Sequence, residues 1–181
     1  MDLLTIRTAI VEQLQQRLAP VKVASHGGRF SLKDIQRIAA QTPAVRVGCL
    51  GVRGVETSGG RVTVTAVFGA FVITTDKGQS KRDAAGLLLT GQVLACIPGN
   101  DFGIEQAEHP VETSIKADNL YSGQLEGKGI ALWACTWQQQ LEIEALDFDS
   151  LADFVTYAQQ IDLDPNQDGE PSASDTLTME Q

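Results

Sequence analysis

The stretch Arg61-Val62-Thr63-Val64-Thr65-Ala66-Val67-Phe68-Gly69-Ala70-Phe71-Val72-Ile73-Thr74-Thr75 decides the fold. Successive side chains of a strand point to opposite sides, so Val62, Val64, Ala66, Phe68, Ala70 and Val72 share one apolar face. The other face is polar at Arg61, Thr63 and Thr65 but apolar at Val67, Phe71 and Ile73. One end of this long strand is therefore expected to be covered on both faces. The other end is open, or covered only by a partner.

More strands surround it. Val45, Val47 and Cys49 alternate with Arg46 and Gly48, and Glu56 to Gly60 reads as a turn cluster. Ile115 to Ser122 and Ile130 to Ile143 read as two strands joined by the turn Glu126-Gly127-Lys128-Gly129. In the second, Trp133, Cys135, Trp137, Leu141 and Ile143 share one parity. Val21 to Val23 is a short strand, and Ser25 to Gly28 a turn.

The helices follow a different period. Leu3, Ile6, Ile10, Leu14 and Leu18 recur at helical spacing, and Pro20 stops the run. Ser31 and Asp34 form a capping box for a short helix carrying Ile35 and Ile38, which ends before Pro43. Ser80 and Asp83 offer a second box for a helix reaching about Ile97, with Ala84, Leu87, Leu88, Gly91, Leu94 and Ala95 as its stripe. Pro98-Gly99-Asn100 supplies the stop. Leu151, Phe154, Val155 and Ala158 suggest a last short helix. This order gives an α+β fold, an antiparallel or mixed sheet with helices packed mainly on one face. The expected division is one domain over 1–161 and an acidic, loosely ordered arm over 162–181.

Charge is unevenly distributed. All 14 Lys and Arg lie at or before Lys128 with 12 of the 23 acids, so that part carries +2; the other 11 acids follow without a basic partner. A chain at −9 overall repels phosphates, which excludes bulk nucleic-acid binding. No apolar run approaches the ~20 residues of a membrane span, and Met1-Asp2-Leu3-Leu4 is not the start of a signal peptide. Cys49, Cys96 and Cys135 stand far apart in apolar stretches and read as core residues.

Catalytic chemistry is not expected. Gly54 to Gly60 lacks the Lys-Ser/Thr pair of a phosphate loop and precedes a strand, so no helix N-terminus faces an anion. His26 and His109 have no nucleophile or paired carboxylate nearby, and Glu142 with Glu144 reads as an exposed sheet face. Asp164, Asn166, Asp168 and Gly169 match the first half of an EF-hand loop, with Asp175 at the twelfth position. Pro171 at position eight, and Asp in place of the longer Glu, make a solvated acidic turn the better reading. No cofactor or metal is expected.

Taken together, the opening helix Leu3 to Leu18, the strand Val62 to Thr75 with its turn Asp76-Lys77, the helix from Ser80, Gly129-Ile130-Ala131-Leu132-Trp133-Ala134-Cys135-Thr136-Trp137, Leu151-Ala152-Asp153-Phe154 and Ile161-Asp162-Leu163 resemble small proteins of Mu-like phages and prophages that look like tail terminators. The resemblance spans nearly the whole chain and includes no catalytic signature. It implies a sheet flanked by helices, with six copies in a ring on the head-proximal end of a contractile tail. Such a ring stops tube and sheath growth and presents a surface for head joining. Its partners would be further copies of itself, tail tube and sheath proteins and head-tail connector proteins, with neither nucleic acid nor membrane contacted. It would be assembled in the host cytoplasm and then form part of the virion tail. Another neck or baseplate protein is the alternative, followed by a small-molecule enzyme or a calcium-binding module. A ring joins unlike faces, so Arg46, Arg53 and Arg61 are expected to meet the acidic stretch containing Asp147, Asp149 and Asp153.

Overall fold

The computed structural model describes residues 2–28, 30–77, 81–120, 125, 127–143, 156–161 and 173–178. Helix α1 (Leu3–Arg17) begins at Asp2, whose carboxylate accepts a hydrogen bond from Thr5 N at 2.7 Å. That bond is the main cause holding the Asp2 carboxyl below its usual range. Ile6, Ile10 and Leu14 are fully buried; each contributes about 1.5–3 kcal/mol by leaving water. Packing of this stripe therefore outweighs the cap. Strand β1 (Lys22–Ser25) follows, then α2 (Leu32–Ala39). The capping box of α2 is complete: Asp34 N donates to Ser31 Oγ, and Ser31 N donates to Asp34.

Strands β2 (Ala44–Ser58) and β3 (Arg61–Thr75) form one long antiparallel hairpin. Gly59 and Gly60, at φ 57° and 80°, make the two-residue turn, which needs left-handed backbone at both positions. The expected turn cluster is thus narrower than Glu56 to Gly60, because Glu56, Thr57 and Ser58 pair with Thr63, Val62 and Arg61. Helix α3 (Arg82–Cys96) leads through a 3₁₀ turn (Glu112–Ser114) to β4 (Lys116–Asn119) and β5 (Ile130–Ile143). The sheet order is β1-β2-β3-β5-β4, with only the β1–β2 pair parallel. Among the described residues, three α-helices on a five-stranded mixed sheet make this an α+β fold.

The inner face of the sheet carries the larger core. Phe68, Val72, Cys135, Trp137 and Leu141 pack there with Ile6, Ile10 and Leu14 of α1 and Leu89 and Val93 of α3. Trp137 donates from Nε1 to Gln139 Oε1 at 3.2 Å, and Gln139 Nε2 donates to the Glu108 carbonyl at 2.7 Å. Gln139 is fully buried yet bonded, as a core amide has to be. On the outer face a second cluster joins Ile35 and Ile38 of α2 to Phe71, Ile73, Leu132 and Ala134. Val67 lies on that same face but is only half-buried. The strand is covered on both faces at its Ile73 end, as its sequence predicts.

The orientation of α3 differs from expectation. It buries Gly86, Leu89, Thr90, Val93 and Cys96, and leaves Leu87 and Leu88 exposed at 51% and 73%. Nearly every residue from Ala84 to Ala95 is apolar or small, so periodicity does not fix the phase. Contact with the sheet does: a Cβ at Gly86 would sit 3.2 Å from Thr74 Oγ1 and 3.4 Å from the Trp133 ring. The residue before the helix is Lys81, without a side-chain cap, and Asp76 Oδ1 accepts from Arg82 N at 2.9 Å; Ser80, expected to form a capping box with Asp83, lies outside the described residues.

Residues 1–144 and 145–181 form two compact units. In the second, β6 (Thr156–Ile161) pairs antiparallel with β7 (Ala173–Thr178). Ala158, expected at the end of a helix, lies in strand β6; Leu151, Phe154 and Val155 lie outside the described residues.

Burial pushes the Cys135 thiol up from 9.0 to about 12. Above pH 9 the unfolded thiol ionises while the folded one keeps its proton, so this group lowers stability as pH rises from 9 towards 12. Half-buried Cys49 is expected to react first with a thiol reagent, with fully buried Cys135 labelled only at the rate of unfolding. Time-resolved mass spectrometry of labelled peptides checks this order; early labelling of Cys135 overturns it.

Candidate functional site

Two basic clefts open on the outer face of the sheet. Along β2 the pairing slips between Val52 and Gly54, and this bulge leaves Arg53 outside the ladder, where it re-aims the side chain. Arg53 lines a cleft of about 370 Å³ with Lys116, Thr113, Ser114, Thr136 and Gln138, and half-buried Val67 forms part of its wall. Lys116 pairs in register with Thr136, and Val67 with Gln138, so this is the bare end of the outer face.

The second cleft, of about 280 Å³, lies between α2 and the β1–β2 end of the sheet. It is lined by Ser25, His26, Arg37, Ile38, Gln41 and Arg46. Arg46 sits opposite Phe71 and is only 7% exposed. Its Nη1 donates to the carbonyls of Val45 at 2.9 Å and Lys22 at 3.3 Å. His26 stacks on Phe30 with ring centroids 3.8 Å apart, and its backbone N–H donates to Val47 O at 2.7 Å. Burial is the largest cause lowering its pKa, ahead of the opposing effect of Asp34. A Cβ at Gly48 would lie 3.0 Å from Gly28 Cα, so glycine at 48 lets the loop after β1 lie against β2.

Arg61 belongs to neither cleft. Its guanidinium meets Glu142 at 3.3 Å, with side chains 72% and 40% exposed, a pair worth at most about 1 kcal/mol. Glu142 in turn lines an acidic cleft of about 290 Å³ with Glu56, Glu105 and Glu108. The three arginines singled out by sequence are thus strung along the hairpin; seven residues of strand separate Arg46 from Arg53 by roughly 20 Å. Asp147, Asp149 and Asp153 lie outside the described residues, as do Asp164, Asn166 and Asp168. Asp175 is in β7, in register with Gln159. Among the described residues no group of three or more His, Cys, Asp and Glu gathers as metal ligands. None of the described helices is long and apolar enough to cross a membrane.

Sequence reasoning missed Lys116, Arg37 and Gln41 as neighbours of the arginines. Only pairing across the sheet and docking of α2 bring them there. Sequence comparison finds that the model of a family described as Bacteriophage Mu, Gp37 matches residues 2–141. No curated protein matches the chain.

Proposed function

Since the chain belongs to the Bacteriophage Mu, Gp37 family, we propose that it is a non-enzymatic structural protein of the phage particle, a tail terminator. Copies of it associate head to tail in a ring, expected to be a hexamer, on the tube and sheath, and the ring prepares the tail end for the head. The observation that supports the self-association is the basic cleft on the described sheet set against the acidic run at the end of the sequence. The bare outer face presents Arg53 and Lys116 without a described carboxylate in their cleft, and 11 acids follow Lys128 with no basic residue among them. Unlike patches on one chain favour heterologous contacts, with charge setting orientation more than affinity.

Native mass spectrometry across protein concentration tests this. The wild-type chain is expected to give a discrete closed oligomer, and Arg53→Glu with Arg61→Glu is expected to shift it to monomer. Both side chains are on the surface, so the double variant should unfold within about 1 kcal/mol of wild type. Unchanged assembly in the double variant excludes these arginines from the contact. A strict monomer at every concentration counts against a ring formed by the chain alone.

A further inference from the structure

Arg46 is a buried cation without a described counter-charge. Its guanidinium cannot shed its proton, and its two hydrogen bonds go to neutral carbonyls. The charge acting on it is another cation, Arg37, which adds to burial in disfavouring the charged form. Asp34, the acid near this cleft, is engaged on α2: it bonds Ser31 and meets Arg37 at 3.5 Å. Withdrawing a charge from water without a partner is costly. The cost is offset if an anion enters the cleft that Arg46 lines.

The remaining walls suit a carboxylate. Arg46 and Arg37 each offer a planar fork of donors, the geometry that matches carboxylate oxygens two at a time. Ser25 contributes a hydroxyl. Gln41 is held through Oε1 by Lys22 Nζ at 3.0 Å, which leaves its NH₂ group to donate. Lys22 brings a further positive charge to Gln41, and Ile38 gives one apolar wall.

We propose that this cleft is a socket for carboxylates of the acidic segment Glu144–Phe154 of a second copy of this chain. The segment reads Glu-Ala-Leu-Asp-Phe-Asp-Ser-Leu-Ala-Asp-Phe and contains no cation. Asp147 and Asp149 flank Phe148, so it presents two acids and an aromatic within three residues, matching a basic cleft with an apolar wall. The inference rests on the self-association reading only in taking the donor to be a second copy.

The test titrates a fluorescently labelled Glu144–Phe154 peptide with the full-length protein at constant ionic strength, read by anisotropy. Saturable binding is expected, weakened about tenfold or more by Arg46→Met, by Arg37→Gln, and by a peptide with Asp147→Asn and Asp149→Asn. Arg46→Met keeps the apolar stem and removes only the buried charge, so the fold should hold. Arg37 is exposed, so loss there cannot be ascribed to unfolding. No peptide binding, binding as tight as wild type by both arginine variants, or displacement of the peptide by inorganic phosphate with no dependence on Asp147 and Asp149 each overturns the socket. The ring reading stands or falls separately: an oligomer that persists in Arg46→Met contradicts the socket alone, whereas a monomer that binds peptide through Arg46 contradicts only the ring.

Discussion

Trp137→Ala is expected to destabilise the protein by about 3–5 kcal/mol, the range for deleting a large aromatic from a close-packed core. Trp137 is fully buried at the centre of β5. Its ring lies 5.9 Å from Phe68 and 6.1 Å from Phe102, so its loss leaves a cavity shared by the sheet and the loop after α3. Part of the cost is polar. Gln139 Oε1 accepts from the indole N–H, and an unmatched buried amide oxygen costs about 1–3 kcal/mol. Trp137→Phe helps separate the terms, because it keeps most of the ring volume while removing the donor. Urea denaturation is the measurement, with the midpoint expected to fall while the slope m stays unchanged. A loss below about 1 kcal/mol for Trp137→Ala would mean that the inner face is not packed around this residue.

Ile73→Ala should cost about 2–5 kcal/mol, whereas Val67→Ala should cost less than about 1 kcal/mol. Both residues lie on the outer face of β3, six residues apart. Ile73 is fully buried beneath α2, against Phe71, Leu132 and Ala134. Val67 is half-buried on the wall of the Arg53 cleft. The difference measures how far α2 covers that face, and thermal or urea unfolding of the two single variants reads it directly. Equal costs would contradict a face covered at one end only. If copies of the chain do cover the bare end, Val67→Ala should also weaken self-association while costing the monomer no more than about 1 kcal/mol.

Much of this architecture is legible along the chain because strand and helix periods are local. The alternation from Val62 to Val72 and the parity of Trp133, Cys135, Trp137 and Leu141 each identify the face that the structure buries. The spacing of Ile6, Ile10 and Leu14 does the same for α1. Ser31 and Asp34 cap α2 as their spacing requires.

Where local pattern is degenerate, the sequence is mute. In α3 apolar residues surround the helix, and only docking on Thr74 and Trp133 decides that Leu89 and Val93 turn inward while Leu87 and Leu88 stay outside. Arg46 alternates with valines like any solvent-facing strand residue. Its burial follows from α2 folding over that end of the sheet, a contact between residues remote in the chain. The same holds for the polar hub at Gln139, whose partners are Trp137 and carbonyls 31 and 39 residues away. By itself, then, the sequence determined the elements, the sheet-and-helix class and the separation of charge between the chain's two parts. The tertiary structure alone decided which arginine is buried, which is paired and which sits at a bulge, because burial and pairing depend on neighbours that no local period encodes.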